Sequence, residues 1–276
     1  MSVFGTKGRT IIGILTIIDE EFAAVRRMFN TTANIAGTHY FVSAIITPAA
    51  GSLPAYEIVV CQATGQSNLT ASDIVRDFIE DFRPEYLLLV GIAGGHGKRE
   101  VKLGDVAIAD FVEDSEFFKL SKGKSLQRKR PYDHPSYKLR KLYAMPLCWS
   151  DDWHKQIDVK RPDGKKPKAT IANLASGEKL LGDRGNPYQK MLMEHFEKAA
   201  VFEMEGFGLA SQVFKQRGSV DYNPQYLIIR GISDLVNERS NQATRDKWRD
   251  YAASAAAAFG KALVENILST RKATES

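Results

Sequence analysis

Four short stretches of the chain place ionisable or glycine residues just beyond an apolar run. Asp19, Glu20 and Glu21 follow "TIIGILTII", and Gly91, Gly94 and Gly95 sit in "VGIAGGHG". Glu203 and Glu205 flank Met204 in "VFEMEGFGLA", while Arg230, Ser233 and Asp234 close "YLIIRGISD". A lone carboxylate at such a place reads as a helix cap or a surface turn. Four such ends on one sheet predict a common cleft, because open α/β sheets bind ligands beyond the carboxyl ends of their strands. The chemistry on offer is mostly carboxylate: one base, one acid and one acceptor for a diol. Glu203 and Glu205 lie among apolar neighbours, and charges are seldom buried unpaired, so a donor is expected for at least one of them.

Other chemistries fail on spacing. "GIAGGHGKRE" (91–100) is no Walker A loop: Ile92 stands where the first glycine belongs, and Arg99 stands where Ser or Thr should follow Lys98. It is no dinucleotide fingerprint either, because "VKLGDVAIAD" reads as turn and strand rather than helix. Its glycines are explained by a tight turn or by close approach of a ligand to the backbone. The five histidines lack metal-ligand spacing, and no GxSxG elbow is present. Neither a metal nor a cofactor is expected. Cys61 and Cys148 form no CxxC pair, which suits a reducing cytoplasm. No apolar run approaches a membrane span, and the first residues lack a signal-like apolar stretch.

The elements that must position these residues follow from the pattern. Near-continuous apolar runs predict strands at 10–18, 39–47, 56–62, 86–93, 105–112, 169–176 and 225–233, with a further short strand ending at Glu203. Helical segments fall between them at 19–29, 67–82, 205–216 and 247–270. This alternation predicts an α/β sandwich around one sheet. The whole chain, 1–276, reads as a single domain, and its 43% hydrophobic content supplies a full core. One polar, basic insertion at about 115–170 interrupts the rhythm with "KLSKGKSLQRKR", "KLRKLY" and "VKRPDGKKPK". Charge runs of this kind read first as solvated surface; the sharper reading is a lid or a phosphate-facing wall. The net charge of +5 permits an anionic partner. Nucleic acid is not expected, since no aromatic platform or known module accompanies the basic residues.

The blocks "GILTIIDEEF", "VGIAGGHGKREVKLGDVAIAD", "ASGEKL", "VFEMEGFGLA" and "IIRGISD", in this order, resemble the nucleoside phosphorylase/nucleosidase superfamily, especially its methylthioadenosine/S-adenosylhomocysteine nucleosidase branch. "DKWRDYAASAAAAF" is similar to versions found in fungal and bacterial immune proteins, some of which cleave ATP. The resemblance implies a three-layer α/β/α sandwich around a mixed, partly barrel-like sheet, a homodimer, and a small-molecule purine nucleoside or nucleotide as ligand. It implies that Glu205 takes the ribose hydroxyls, that Met204 packs on the sugar and that Glu203 is structural. It further implies that Asp234 protonates purine N7 with Ser233 and Arg230 positioning it, and that Glu21 deprotonates water against C1′. Ile92, Ala93 and Gly94 would line the ligand. Leu180 stands where the nucleosidases carry a phenylalanine on adenine, and Trp248 falls near the family's gating aromatic. Leu89 and Ile92 replace the Arg and Ser with which phosphorolytic relatives hold phosphate. The expected function is therefore purine N-ribosyl hydrolysis. A phosphorylase, or a nucleotide sensor without catalysis, is the alternative on the same fold.

Overall fold

The computed structural model describes residues 9–31, 33–34, 40–42, 55–121, 124–128, 130, 134–217, 221–239 and 241–274. The chain runs β1 (Arg9–Thr16), α1 (Asp19–Phe29), β2 (Ala33–Asn34), β3 (Tyr40–Val42), β4 (Ala55–Gln62), α2 (Asn68–Phe82), β5 (Tyr86–Gly95) and β6 (Val106–Asp114). A hairpin of β7 (Phe118–Ser121) and β8 (Lys124–Gln127) follows, then α3 (Met145–Cys148), β9 (Ala169–Ser176) and α4 (Pro187–His195). It ends with β10 (Ala199–Glu203), α5 (Gly206–Gln216), β11 (Gln225–Leu235) and α6 (Gln242–Thr274). The run expected at 39–47 continues past β3 into residues outside those described.

Nine strands form one mixed sheet in the order β10-β9-β6-β11-β5-β1-β4-β3-β2. Parallel pairs of β1 with β4 and β5, and of β5 with β11, make its middle. The sheet then curls: β10 also pairs antiparallel with β5, Val201 opposite Gly95 and Phe202 opposite Gly94. Strands β5, β11, β6, β9 and β10 thus close on themselves, which is the partly barrel-like sheet expected.

Two apolar layers flank it. The inner faces of α2 and α5 bury Ile74, Phe78, Phe82, Leu209 and Val213 against one side. On the other side α1 and α6 bury Val25, Phe29, Phe259 and Leu263. The alanines of α6 let its backbone approach β11 closely. A Cβ at Gly231 would strike the carbonyl of Ala252, so both sides of that contact must be small. Helix α2 starts on a Ser67 side chain accepting from the Thr70 N–H and stops at Arg83, one residue before Pro84. None of the helices among the described residues is long and apolar enough to cross a membrane.

Candidate active site

The curl of the sheet decides which strand ends meet. Pairing of Phe202 with Gly94 carries the "EME" stretch to the glycine segment, and β11 lies along the other edge of β5. A cavity of about 220 Å³ opens there. Among its lining residues are Glu21, Ile92, Ala93, Gly94, Leu180, Met204, Glu205, Ser233 and Asp234. All but two of the expected site residues therefore share one cavity. The exceptions are Arg230, which is fully buried behind its wall, and Trp248.

Glu21 sits at the third position of α1. Its Oε2 accepts from the N–H groups of Ile17 and Ile18 at 2.8 and 3.2 Å, and its Oε1 accepts from Ile92 N–H at 2.7 Å. Three backbone donors from two elements thus fix the carboxylate. Gly91 provides the space, because a Cβ there would lie 2.5 Å from both Glu21 Oε1 and Arg230 Nη1. Burial nevertheless pushes the Glu21 pKa upward, against the opposing pull of Arg230 and of these three N–H groups.

Glu203 and Glu205 find their donor in Arg230. Its Nη2 lies 2.5 Å from Glu203 Oε2 and 2.8 Å from Glu205 Oε2. Glu203 also accepts from the N–H groups of Glu205 and Gly206, at 3.1 and 2.8 Å, and so caps α5. It is a structural anchor by every contact it makes. Glu205 has fewer bonds and faces the cavity. Burial pushes its pKa up to about 8, with Arg230 opposing and Glu203 and Glu21 adding to the rise. The sharing explains why a paired carboxylate is still raised. One guanidinium serves three carboxylates, leaving two negative charges in excess if all are ionised. Burial alone would lower the pKa of Arg230, but Glu203, Glu205 and Glu21 together outweigh it and raise the value.

Asp234 has a separate set of partners. Its Oδ1 accepts from Ser233 Oγ at 2.8 Å and from Arg245 Nε at 3.1 Å. Its Oδ2 accepts from Asn241 Nδ2 at 2.6 Å and from Arg245 Nη2 at 3.0 Å. Arg230, expected to position Asp234, does not touch it. The register of β11 against β5 slips between Ile232 and Asp234, so Ser233 is an extra residue. A one-residue bulge reverses the alternation of side chains, so Arg230 and Asp234 no longer share a face of the strand.

Trp248 also departs from expectation. It is buried against Tyr251, Gly104 and Arg161, away from the cavity. Gln242, Arg245 and Arg249 line the cavity from α6. Trp248 lies one residue, about 100°, around the helix from Arg249, which turns its ring into the core. Leu180 is at the cavity mouth and largely exposed, while Phe202 supplies a buried aromatic wall that sequence reasoning did not single out. Lys179, Arg245 and Arg249 were missed as well. The basic insertion does not reach this place among the described residues, since none of residues 115–170 lines the cavity. Its nearest tie is Glu116, whose Oε2 holds Lys179 Nζ at 2.5 Å. Lys122 and Lys129 of that insertion lie outside the described residues.

The arrangement therefore offers a cavity with a fixed, raised carboxylate, a second raised carboxylate, and a third held in a fork of donors. Comparison with known proteins agrees in kind. The model of the phosphorylase superfamily matches residues 11–268. A 5′-methylthioadenosine/S-adenosylhomocysteine nucleosidase of Marinomonas is 22% identical over 240 residues, covering 85% of this chain and 90% of that protein. The ATP nucleosidase Cap17 of Escherichia coli is 28% identical over 274 residues, covering 89% of this chain and 49% of the relative. A death domain-containing ATP nucleosidase of the sponge Amphimedon queenslandica is 22% identical over 202 residues, covering 70% of this chain. The chain spans about a third of the length of the sponge protein, 36%, and about half that of Cap17. Among solved structures, a Helicobacter pylori 5′-methylthioadenosine/S-adenosylhomocysteine nucleosidase superposes with a TM-score of 0.70 at 20% identity, covering 94% of this chain and 99% of that one.

Proposed function

The chain belongs to the phosphorylase superfamily, and on that premise we propose that it is an N-ribosyl hydrolase releasing the base from a purine nucleoside or nucleotide. The observation that carries this reading is Glu21. Its carboxylate is held by three backbone N–H groups and faces the same cavity as Glu205 and Asp234. Glu21 is the base that takes a proton from water attacking C1′. Glu205, an acceptor when ionised, binds the ribose diol, and Met204 packs on the sugar. Asp234 donates a proton to purine N7 as the C1′–N9 bond breaks and its electron pair passes to the base. The C1′–O bond forms from water, so the net reaction adds one water across the glycosidic bond. General acid help of this type is worth about 10²–10⁴-fold.

The negative charge that Glu21, Glu203 and Glu205 bring around Arg230 when ionised suits the same step. Positive charge develops at C1′ and the ring oxygen in an oxocarbenium-like transition state, and preorganised carboxylates stabilise it without reorganising. A phosphate nucleophile is disfavoured: Leu89 and Ile92 bring no donor side chain, and the Ile92 N–H is already taken by Glu21. The substrate is an adenine nucleotide. Two relatives named as ATP nucleosidases support this, as do three cationic side chains on the cavity, Lys179, Arg245 and Arg249. An effector-like role that depletes nucleotide follows from the resemblance to immune proteins. The reading includes a homodimer and a reducing cytoplasm; Cys61 and Cys148 are both free.

Chromatography of a purine panel in phosphate-free buffer tests the proposal. Adenine and ribose 5′-triphosphate should appear from ATP. Base release that requires added phosphate would contradict it.

A further inference from the structure

Asp234 is closed in this structure. A carboxyl group can carry a proton toward a base only where incoming donors leave one of its lone-pair sites open. Here both oxygens receive two, and Arg245 supplies one to each through Nε and Nη2. Arginine is never an acceptor and stays charged, so its fork cannot relay a proton to a base. Arg245 is 8% exposed and Asp234 is 2% exposed, so water does not screen the pair. For Asp234 to act on N7, Arg245 has to turn away.

The geometry shows what would draw it. Gln242, Arg245 and Arg249 project from α6 into the cavity at helical spacing, so Arg245 and Arg249 are neighbours one turn apart. Arg245 reaches Asp234 at one end, while Arg249 reaches Glu20 at the start of α1, 2.9 Å away. The third guanidinium nitrogen of Arg245, Nη1, already points back to Gln242 Oε1 at 3.2 Å. Lys179 adds a third cation to the wall. An anion seated by this stripe competes with Asp234 for the guanidinium. A polyphosphate competes well, because it carries more charge than a carboxylate and accepts a guanidinium through two oxygens at once.

We propose that Arg245 is a specificity-determining latch: it holds Asp234 closed until the 5′-polyphosphate of the substrate pulls it away. The inference rests on the reading of Asp234 as the N7 acid. A neutral nucleoside fills the same cavity but leaves the latch shut, so binding energy from the remote phosphates is expressed in turnover rather than in affinity alone. Positioning and selectivity thus reside in one side chain. Asn241 and Ser233 remain on Asp234 after release and keep it oriented.

The test splits the substrate in two. Base release from adenosine by the wild-type chain is measured with and without inorganic tripolyphosphate, beside base release from ATP. The latch predicts that tripolyphosphate raises kcat for adenosine by about tenfold or more, as a detached activator. Arg245→Met should cleave adenosine faster than wild type without tripolyphosphate and should not respond to it. Its preference for ATP over adenosine should fall by about a hundredfold. Equal loss on both substrates in Arg245→Met would make Arg245 a structural partner of Asp234 and overturn the latch. If that variant does not fold, the tripolyphosphate experiment on the wild type decides alone. A wild type that cleaves ATP but ignores tripolyphosphate overturns the latch and leaves the hydrolase standing. A wild type that releases base from no purine riboside overturns both.

Discussion

The two buried arginine clusters of the cavity are built on opposite charge ratios. Around Arg230, one guanidinium faces Glu203 and Glu205 directly and Glu21 at longer range. Around Asp234, one guanidinium faces one carboxylate, with Asn241 and Ser233 completing the shell. The first cluster is short of positive charge whenever its three carboxylates are ionised, and it keeps that shortage out of water. The second is balanced. A cation forming at C1′ would correct the imbalance of the first cluster, whereas a base at N7 needs the second cluster to open. On the proposed reading, one cavity separates the tasks of stabilising charge and moving a proton.

The comparison breaks most sharply at Asp234. Asp234→Asn keeps the size and can still face Asn241 and Ser233, yet it cannot deliver the proton. Turnover should fall by about 10²–10⁴-fold. Ligand binding, measured by calorimetry with a non-hydrolysable purine analogue, should persist. A variant with near wild-type turnover would remove Asp234 from the reaction.

Next in size is the removal of Arg230. Arg230→Met leaves three carboxylates buried around an uncharged side chain. Breaking a buried ion pair in this way costs about 3–5 kcal/mol. Chemical denaturation of the variant should show that loss, and adding Glu203→Gln should recover part of it. A loss below about 1 kcal/mol, the range of a surface pair, would mean that the cluster is not held by charge.

The smallest effect is one of pH. Burial raises the pKa of Glu21 and takes Glu205 to about 8, so the folded chain holds protons that the unfolded chain releases. Stability from this source is complete below the ordinary glutamate range, about 4.3. It is lost as pH rises, the Glu205 share as pH passes through about 8. The melting temperature should therefore decline from pH 5 to pH 8, and Glu205→Gln should flatten the decline. A wild-type melting temperature that rises over that interval would reverse the sign assigned here.

Much of this cavity was legible before the structure. The carboxyl ends of four apolar runs pointed to one cleft, and Glu21, Glu205 and Asp234 meet there. What escaped was non-local or fell out of phase. Nothing in the local pattern of "AAVFEMEG" says that Phe202 pairs with Gly94 and closes the sheet. The bulge at Ser233 turns Arg230 away from Asp234, which the resemblance had paired with it. Asn241 and Arg245 lie in "NQATRDKWRD", whose density of charge reads as solvent-facing helix. Only three-dimensional placement shows Arg245 turned inward, and Trp248 turned to the core instead of the cavity. The basic insertion misled in the other direction, since its charges made it look closer to the site than its described residues are.

In the proposed reaction, water activated at Glu21 attacks C1′. Turnover of ATP in ¹⁸O-labelled water containing inorganic phosphate tests it most directly, with mass spectrometry of the sugar product. One ¹⁸O at C1′ and free adenine in equal amount are expected, with Glu21→Gln abolishing both. A sugar 1-phosphate without the label would contradict it.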